Sequence, residues 1–353
     1  FIYDEHGVEY LDLYGGHAVI SIGHSHPKYV YNIAKQINKI GFYSNSIQNP
    51  LQKELATELV EASGCNDYQL FLCNSGAEAN ENALKLASFH TNKKKVIAFK
   101  NGFHGRTSAA VAVTDNTKII APINAQQEIE LFDLGDIIGV ANALSNNDVC
   151  AVIIECVQGV GGLDESTTSF YKRLHHLCKK FNVVLIADEV QSGFGRTGDF
   201  FAFQKHKIIP DIISMAKGMG NGFPIGGILI HPKIKASFGL LGTTFGGNHL
   251  ACTASLTVLE VIKKEKLQEN AKIIFDYFKK EAQSLPHLKA IKGRGLMLGL
   301  EFDFPITELR KKLIYKHHIF TGNAKNPNVL RILPSLTVKK MHIDLFITAL
   351  KTE

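Results

Sequence analysis

Lys217 lies at a point in the sequence where a single amine could be kept for chemistry. It follows the apolar run IIPDII, and five glycines come after it within SMAKGMGNGFPIGG, residues 214–227. One interpretation is a surface charge beside a flexible loop. The other is an amine held in a pocket, with glycines that let the backbone turn tightly beside a bound group. The choice depends on which other reactive groups the chain provides.

A carboxylate and a helix start occupy comparable positions after apolar runs. Asp188 ends the run VVLIAD, and a carboxylate buried there needs a cation or a hydrogen-bond donor, so a structural ion pair is the competing interpretation. The stretch NSGAE follows the run YQLFLC and opens a helical pattern. Its residues Ser75, Gly76 and Ala77 leave free amides at the positive end of a helix, where phosphate binds readily. Ser75 could also act only as a helix cap.

The stretch NGFHGRT adds a flat ring and a fork-shaped cation. Phe103 and Arg106 lie three residues apart, and singly they would be a core residue and a surface residue. Together with Lys217, Asp188 and a phosphate site, they form the set that pyridoxal phosphate requires. A lysine forms the Schiff base with this cofactor, and an acidic residue keeps the pyridine nitrogen protonated so that the ring withdraws electrons. The combination is far more specific than any of its members.

Alternating β-rich and helical segments position these residues. The β-rich runs are YQLFLC, KVIAF, AAVAV, AVIIE, VVLIAD and DIISMA, and the helical stretches include GAEANENALKLASFH and SFYKRLHHLCKKF. Apolar strands separated by helices predict a mostly parallel sheet covered on both faces, and such sheets bind ligands at the carboxyl ends of their strands. After GGNHLACTASLTVLEVIKKE, a smaller unit follows with RGLMLGLEF, the helical ELRKKLIYKH, VLRILP and a closing helix. We therefore expect an α/β protein with a large and a small domain.

Composition limits the classes of protein that fit this chain. Its 353 residues, 45% hydrophobic and 20% charged, suit about two globular domains. No apolar run reaches the ~18 residues of a membrane helix, and the formal charge of +6 comes from scattered lysines, so we expect neither a membrane nor a nucleic-acid partner. The six cysteines form no C-x-x-C pair, which favours a reducing, cytoplasmic location. His24 and His26 lack further ligands at metal spacing, so we expect no metal.

At these residues the sequence resembles the class III, or ornithine-type, pyridoxal-phosphate aminotransferases. The matching stretches are YLDLYGGHAV, GHSHP, LFLCNSGAEANENALKLA, FHGRT, LIADEVQSGFGRTG, MAKGMGNGFPIGG, GTTFGGNHLACTASL and VLRILPSL. The resemblance implies fold type I of the pyridoxal-phosphate enzymes, with residues 46–284 as the large cofactor-binding domain. Residues 1–45 and 285–353 would form a small domain built from both termini. A homodimer that shares its active site across the interface is also implied.

The resemblance further implies catalytic roles for Lys217 and Asp188. Lys217 would carry the cofactor and shuttle a proton between its C4′ and the substrate carbon, while Asp188 would pair with the pyridinium. The other implied cofactor contacts are Ser75, Gly76, Ala77, Phe103, Glu189, Val190, Gln191 and, from the other subunit, Thr244. The implied substrate contacts are Arg106, Thr243 and Arg331, the last holding the α-carboxylate of glutamate. The implied reaction moves the δ-amino group of N-acetylornithine to 2-oxoglutarate, a step of arginine biosynthesis.

One stretch departs from the family. It reads ECVQGVGG where the family has EPxQGEGG, so Cys156 replaces a proline and Val160 replaces a glutamate. In relatives that glutamate is thought to cover the arginine that matches Arg331 while the ω-amino substrate is bound, which valine cannot do. Because a buried arginine without its partner costs ~3–5 kcal/mol, we expect Arg331 to meet another anion, water, a substrate carboxylate or nearby Glu155. The departure makes N-succinylornithine, which carries an extra carboxylate, an alternative substrate.

Other functions also fit the scaffold. A 4-aminobutyrate aminotransferase, another ω-aminotransferase or an aminomutase would share the fold and the lysine. A non-catalytic phosphate-binding protein would belong to a different class, and the presence of both Lys217 and Asp188 argues against it. A yellow colour that borohydride removes would distinguish an enzyme from such a binding protein.

Overall fold

The computed structural model describes residues 1–353. The strands are β1 (Ile2–Tyr3), β2 (Glu9–Asp12), β3 (Gln69–Cys73), β4 (Lys95–Phe99), β5 (Ile129–Phe132), β6 (Val149–Ile154), β7 (Val184–Asp188), β8 (Ile212–Met215), β9 (Gly226–Ile230), β10 (Leu288–Arg294), β11 (Met297–Phe302), β12 (Ile319–Phe320), β13 (Gly322–Asn323) and β14 (Val329–Ile332). The helices are α1 (Gly15–Ala18), α2 (Pro27–Ile37), α3 (Pro50–Ser63), α4 (Gly76–Thr91), α5 (Ser108–Ala112), α6 (Ile137–Ser145), α7 (Thr168–Lys180), α8 (His249–Lys264), α9 (Leu267–Ala282), α10 (Thr307–Tyr315) and α11 (Lys340–Lys351). Short 3₁₀ helices span Thr117–Ile119, Pro122–Asn124, Ala202–His206 and Lys217–Met219.

A seven-stranded sheet forms the centre of the molecule, in the order β3-β9-β8-β7-β6-β4-β5. Only β9 runs antiparallel to its neighbours, so the predicted mostly parallel sheet is confirmed. Every residue of β6, β7, β8 and β9 is buried, which accounts for the predominance of apolar residues in these strands. Helix α4 packs against several of these strands and α7 packs against β7. The architecture is that of fold type I.

The stretch AAVAV was predicted to be a strand, but it forms most of helix α5. The Glu81 carboxylate, on α4, accepts hydrogen bonds from the backbone N–H groups of Ala109 at 2.8 Å and Ala110 at 3.1 Å. This side chain satisfies donors in the first turn of a helix that alanine already favours. Strands β5 and β9 were not among the predicted runs. In β9 the apolar pattern is hidden by glycines, and Gly226 is required because a Cβ there would lie 2.5 Å from the Ser75 carbonyl oxygen.

Two smaller sheets contain the strands near the chain termini. The first is antiparallel, in the order β10-β11-β14-β13, and RGLMLGLEF spans the turn between β10 and β11. The second joins β1, β2 and β12, with β2 parallel to β12, so segments from both ends of the chain share one sheet. The domain boundaries after residues 45 and 284 remain a prediction.

Arg196 connects the loop after β7 to segments from both ends of the chain. Its guanidinium is buried and donates hydrogen bonds to the carbonyl oxygens of Ile20 at 3.2 Å, Leu296 at 3.3 Å and Pro334. The Arg196 carbonyl oxygen accepts from Leu296 N–H at 2.8 Å. These contacts fix the terminal segments against the sheet edge where β6, β7 and β8 end.

None of the helices is both long enough and apolar enough to cross a membrane.

Candidate active site

A cavity of about 380 Å³ lies at the carboxyl ends of β6, β7 and β8, next to the start of α4. The structure brings most of the predicted site residues together around it. Those that line the cavity are Ser75, Gly76, Ala77, Phe103, Arg106, Asp188, Val190, Gln191 and Lys217. Those that do not are Glu189, Thr243, Thr244 and Arg331.

Lys217 faces the cavity from the segment that follows β8. Its backbone has a φ of 47°, a left-handed conformation that is strained for a residue other than glycine. Its amine makes no hydrogen bond or ion pair within the chain and lines the cavity wall. Burial lowers the pKa of Lys217, assisted by the charge of Arg331, although the carboxylates of Asp188 and Glu155 act in the opposite direction. A lowered pKa favours the unprotonated amine that a nucleophile or a base needs.

Asp188 is the last residue of β7 and its side chain is buried. Its Oδ2 accepts a hydrogen bond from Asn80 Nδ2 at 2.8 Å and lies 2.7 Å from His104 Nδ1, while Oδ1 accepts from Val190 N–H at 3.0 Å. Burial acts to lower the pKa of His104, but the hydrogen bond and charge of Asp188 outweigh it and the net pKa is raised. A proton on His104 Nδ1 therefore stabilises the negative charge on Asp188.

The first turn of α4 presents free backbone donors to the cavity. Ser75 Oγ accepts from Glu78 N–H at 3.2 Å, so the predicted helix cap is present. The N–H groups of Gly76 and Ala77 have no partner within the chain. A Cβ on Gly76 would lie 2.5 Å from Val190 Cγ1, so glycine permits the close approach of these two segments. Free amides at the positive end of a helix fit a phosphate group.

Gln191 supplies an unsatisfied polar atom on the cavity wall. Its Nε2 donates to the carbonyl oxygen of His17 at 3.0 Å, whereas its buried Oε1 has no hydrogen-bond partner. An orphaned acceptor of this kind is costly unless a ligand supplies a donor. Together with the free amine and the free amides, it fits a ligand that carries a phosphate, a carbonyl and a hydroxyl group, as pyridoxal phosphate does.

Sequence reasoning missed the supporting roles of three side chains, one of which, Glu155, had been considered only as a neighbour of Arg331. Glu155 follows β6, is buried, and accepts hydrogen bonds from Phe103 N–H and Gly159 N–H, each at 2.9 Å. Burial raises the pKa of Glu155, and the nearby Asp188 carboxylate adds to the effect. A carboxylate that ends the run AVIIE has the same pattern as Asp188 and could have been recognised. The other two are His104 and Asn80, which hold Asp188.

The side chain of Glu189, which was predicted to contact the cofactor, does not line the cavity. The Glu189 carboxylate accepts hydrogen bonds from Ser192 Oγ at 2.6 Å, Ala202 N–H at 2.9 Å and Phe203 N–H at 3.0 Å. It thereby holds the start of the 3₁₀ helix Ala202–His206, and burial raises its pKa to about 7. Neighbouring residues at a strand end point to opposite sides, so Asp188 faces the cavity and Glu189 faces away from it.

The predicted substrate residues are divided between the cavity and its surroundings. Arg106 is exposed and lines the cavity. Thr243 lies in the loop before α8, where its Oγ1 accepts from Gly246 N–H at 3.0 Å, and Thr244 is exposed. Neither threonine reaches the cavity of its own chain.

Arg331 is buried on β14 and has no carboxylate partner. Its Nε donates to the Asn323 carbonyl oxygen at 2.6 Å, one terminal nitrogen to the Gly159 carbonyl oxygen at 2.9 Å, and the other to Tyr14 Oη at 3.1 Å. Burial lowers its pKa. Within the chain, its hydrogen-bond partners are therefore two backbone carbonyls and a phenol. The expected neighbour Glu155 makes no hydrogen bond to it, although the Glu155 charge acts to raise the pKa of Arg331. Tyr14 was not recognised from the sequence.

Comparison with known families identifies a match along almost the whole chain. The family model described as "Aminotransferase class-III" matches residues 1–352. The acetylornithine aminotransferase of Aquifex aeolicus is 40% identical over 359 residues, which cover 99% of this chain and 94% of that protein. The succinylornithine transaminase of Photorhabdus laumondii is 38% identical, with 97% of this chain and 88% of that protein covered.

Solved structures with the same architecture are aminotransferases. The ornithine aminotransferase of Toxoplasma gondii superposes with a TM-score of 0.91 at 29% identity, covering 99% of this chain and 87% of that one. A second structure of that protein is described with partial occupancy of pyridoxal phosphate at its active site. The N-acetylornithine aminotransferase of Stenotrophomonas maltophilia gives a TM-score of 0.84 at 30% identity, covering 99% and 92% of the two chains.

Proposed function

We propose that this chain, which belongs to the class III aminotransferases, transfers the δ-amino group of N-acetylornithine to 2-oxoglutarate with pyridoxal 5′-phosphate as cofactor. One observation carries the proposal: the unpaired amine of Lys217 and the buried carboxylate of Asp188 line the same cavity. The choice of amino donor is supported by acetylornithine aminotransferases that are 40% identical and aligned over 99% of this chain. The reaction would be a step of arginine biosynthesis.

Four residues that line the cavity would bind polar groups of the cofactor. The N–H groups of Gly76 and Ala77 would bind its phosphate, and Asp188 would keep a proton on its ring nitrogen. Gln191 Oε1 would accept a hydrogen bond from its phenolic hydroxyl, which is supported by the absence of any other donor to this atom. Phe103 and Val190 would pack against the ring faces and exclude water, while Ser75 fixes the turn that carries the phosphate donors.

When bound, the cofactor supplies an electrophilic carbon and a ring that accepts electrons from the carbon bearing the amine. Lys217 would be its covalent attachment point, because no other group in the chain occupies the lysine amine. Once released, the same amine would move a proton from the amine-bearing carbon of the donor to the cofactor. In the second half of the reaction it would move a proton from the cofactor to the carbon of 2-oxoglutarate that receives the amine. Its lowered pKa favours both functions. Asn80 and His104 would keep Asp188 ionised and correctly oriented.

Two arginines would bind substrate carboxylates. Arg106 is exposed at the cavity, where its charge can attract the carboxylate of the acylornithine. Thr243 does not reach the cavity of its own chain, so any contribution from it would come from the other subunit. Arg331 would hold the α-carboxylate of glutamate and of 2-oxoglutarate. Its buried position next to Gly159 and Val160 lies just behind the cavity wall, since Val160 itself lines the cavity.

A homodimer that shares its active sites is part of the proposal. Thr244 is exposed and lies outside the cavity of its own chain, which suits a contact with the cofactor phosphate of the other subunit. Apolar side chains near this loop are also exposed: Phe42 and Phe245 have ring centroids 5.4 Å apart and remain 43% and 59% exposed. Phe238 and Ile47 are exposed as well. Clustered apolar surface of this kind is typical of a protein interface.

N-succinylornithine is the second candidate donor, and one observation favours it. Arg331 has no carboxylate partner, so its charge is available to a succinyl carboxylate, and a succinylornithine transaminase is among the relatives. Against it, each nitrogen of the Arg331 guanidinium already donates one hydrogen bond, which reduces the energetic need for a second anion. Acetylornithine therefore remains the first choice.

A substrate panel tests the proposal. We would compare kcat/KM for acetylornithine, succinylornithine, ornithine and 4-aminobutyrate on the parent enzyme and on Val160→Glu. The proposal expects acetylornithine to be preferred by the parent and little changed by the substitution. The second candidate would be favoured if the parent prefers succinylornithine and the Val160→Glu substitution reduces kcat/KM for that donor by roughly tenfold to a hundredfold. Such a factor corresponds to one charge-assisted hydrogen bond. A preference for 4-aminobutyrate would contradict both.

A further inference from the structure

The short segment Gly15–Ala18, introduced above as α1, is a single turn with a left-handed backbone. Its four residues have φ values of 53°, 55°, 66° and 64°, and the last two of these belong to His17 and Ala18, which pay a steric cost for this conformation. Asp12 holds the entry to the turn, since its Oδ1 accepts from Tyr14 N–H at 2.9 Å and from Gly15 N–H at 2.8 Å. A strained turn fixed in this way sets the positions of the Tyr14 and His17 side chains.

Tyr14 and His17 extend the hydrogen bonds of Arg331 to the surface. Arg331 donates to Tyr14 Oη at 3.1 Å, and Tyr14 Oη lies 2.6 Å from His17 Nδ1. Because the phenol accepts from the guanidinium, its own proton is free to be donated to His17. This requires a neutral imidazole with its proton on Nε2. The guanidinium carbon also lies 5.7 Å from the centre of the Tyr14 ring.

Tyr14 is the only side chain among the hydrogen-bond acceptors of Arg331. The other two acceptors are the backbone carbonyls of Gly159 and Asn323, which cannot leave without moving the chain. Tyr14 is half-buried and could rotate away. Arg331 does not line the cavity in this arrangement, and of its three acceptors Tyr14 is the one that an entering carboxylate could displace without moving the backbone.

The turn also touches the cavity wall directly. The carbonyl oxygen of His17 accepts from Gln191 Nε2 at 3.0 Å, and Gln191 lines the cavity. The residue that orients Tyr14 through its imidazole therefore contacts the cofactor cavity through its backbone.

We propose that Tyr14, oriented by His17, is a removable cover on Arg331 that sets the affinity of the site for a carboxylate. Both are positioning residues, since they act through the arginine. The proposal rests on the proposed function, in which Arg331 binds the α-carboxylate. An entering carboxylate takes the place of the phenol on the guanidinium, and the phenol keeps its bond to His17. The cover keeps a buried cation hydrogen-bonded while no carboxylate is bound, and it weakens carboxylate binding by the bond that must be given up.

The test measures the dissociation constant of glutarate, an unreactive five-carbon dicarboxylate, by calorimetry on the holoenzyme. Tyr14→Phe keeps the ring and removes the competing hydroxyl, so glutarate should bind roughly three- to tenfold more tightly. His17→Phe removes the acceptor that orients the phenol and should tighten binding by a smaller factor. Tyr10→Phe is the matched control, because Tyr10 is also half-buried but is bonded to Asp4 and not to Arg331, and it should leave binding unchanged.

A further variant separates the cover from the role of Arg331. Arg331→Lys should weaken glutarate binding more than about tenfold, since a lysine cannot bind a carboxylate through two parallel bonds. If Arg331→Lys binds glutarate as the parent does, the carboxylate role of Arg331 in the proposed function is wrong. If Arg331→Lys weakens binding while Tyr14→Phe and His17→Phe leave it equal or weaker, the cover is wrong and the carboxylate role stands.

Discussion

His104 Nδ1 lies 2.7 Å from Asp188 Oδ2, and both side chains are buried at the end of β7. Asn80 donates to the same oxygen at 2.8 Å. Two donors on one carboxylate oxygen oppose its protonation and fix its direction. The negative charge at this end of the cavity is therefore a built feature of the fold, and the chemistry proposed for the cofactor depends on it.

Asp188→Asn should keep the fold and lose the charge. We expect kcat to fall by several orders of magnitude in cofactor-saturated enzyme with only a modest loss of cofactor affinity, because electron withdrawal by the ring acts mainly in the transition state. Glu189→Gln is the matched control: it alters the adjacent buried carboxylate, which faces away from the cavity, and should leave kcat within a few fold. A near-normal kcat in Asp188→Asn would contradict the assignment.

Gly76→Ala should reduce affinity for pyridoxal phosphate. The added Cβ would lie 2.5 Å from Val190 Cγ1, so the helix start and Val190 must move apart and the free amides lose their position. Equilibrium binding of the cofactor should weaken by at least roughly tenfold, since more than one charge-assisted hydrogen bond is disturbed. Gly76→Ala combined with Val190→Ala removes the clash and should recover part of the loss. Equal weakening in the single and double variants would mean that the clash is not the cause.

Arg196→Met should destabilise the protein without touching the cavity. The substitution leaves the buried carbonyl oxygens of Ile20, Leu296 and Pro334 without their donor, which we expect to lower the free energy of unfolding by about 3 kcal/mol. Part of this loss is offset because methionine removes a buried charge. The cost of burying that charge is seen in the pKa of Arg196, which burial lowers to about 10. Arg173→Met changes an exposed arginine of α7 and should shift stability by less than about 0.5 kcal/mol. Denaturant unfolding of both variants provides the measurement, and equal stabilities would contradict the role of Arg196.

Glutarate binding should depend on pH through His17. Burial lowers the pKa of His17 below its usual 6.5, and the charges of Arg331 and Lys217 act in the same direction. Above that pKa the imidazole of His17 is neutral and accepts a hydrogen bond from the Tyr14 hydroxyl. Below that pKa the imidazole is protonated and cannot accept this hydrogen bond. Binding in the parent should therefore tighten as the pH falls through this lowered pKa, which lies below the usual 6.5, and the change should be absent in His17→Phe. The same pH dependence in both proteins would rule out His17 as its source.

Residues that end or begin apolar elements could be recognised from the sequence. Lys217, Asp188 and the start of α4 each follow a buried strand, and the parallel sheet brings strand ends together. His104, Asn80 and Tyr14 could not be assigned, because their partners lie 84, 108 and 317 residues away in the chain. Contacts over such separations depend on the folded topology and leave no local pattern.

The secondary structure was likewise predictable where it depends on the local sequence, and was mispredicted where it depends on contacts with another element. The central strands β6, β7 and β8 were predictable because they are buried on both faces and almost entirely apolar. AAVAV was misjudged since alternating alanine and valine resembles a strand, while the Glu81 carboxylate that stabilises helix α5 belongs to another element. Glu189 was placed in the site by its position beside Asp188, although strand geometry turns it to the other side.

Transfer of a nitrogen isotope tests the central proposal most directly. The parent enzyme would be incubated with 2-oxoglutarate and N-acetylornithine labelled with ¹⁵N either at the δ-amino group or at the α-nitrogen, and the glutamate formed would be analysed by mass spectrometry. We predict that glutamate carries the label from the δ-labelled donor and none from the α-labelled donor, and that Lys217→Ala forms no labelled glutamate. Unlabelled glutamate from the δ-labelled donor, or labelled glutamate formed by Lys217→Ala at the rate of the parent, would contradict the proposed function.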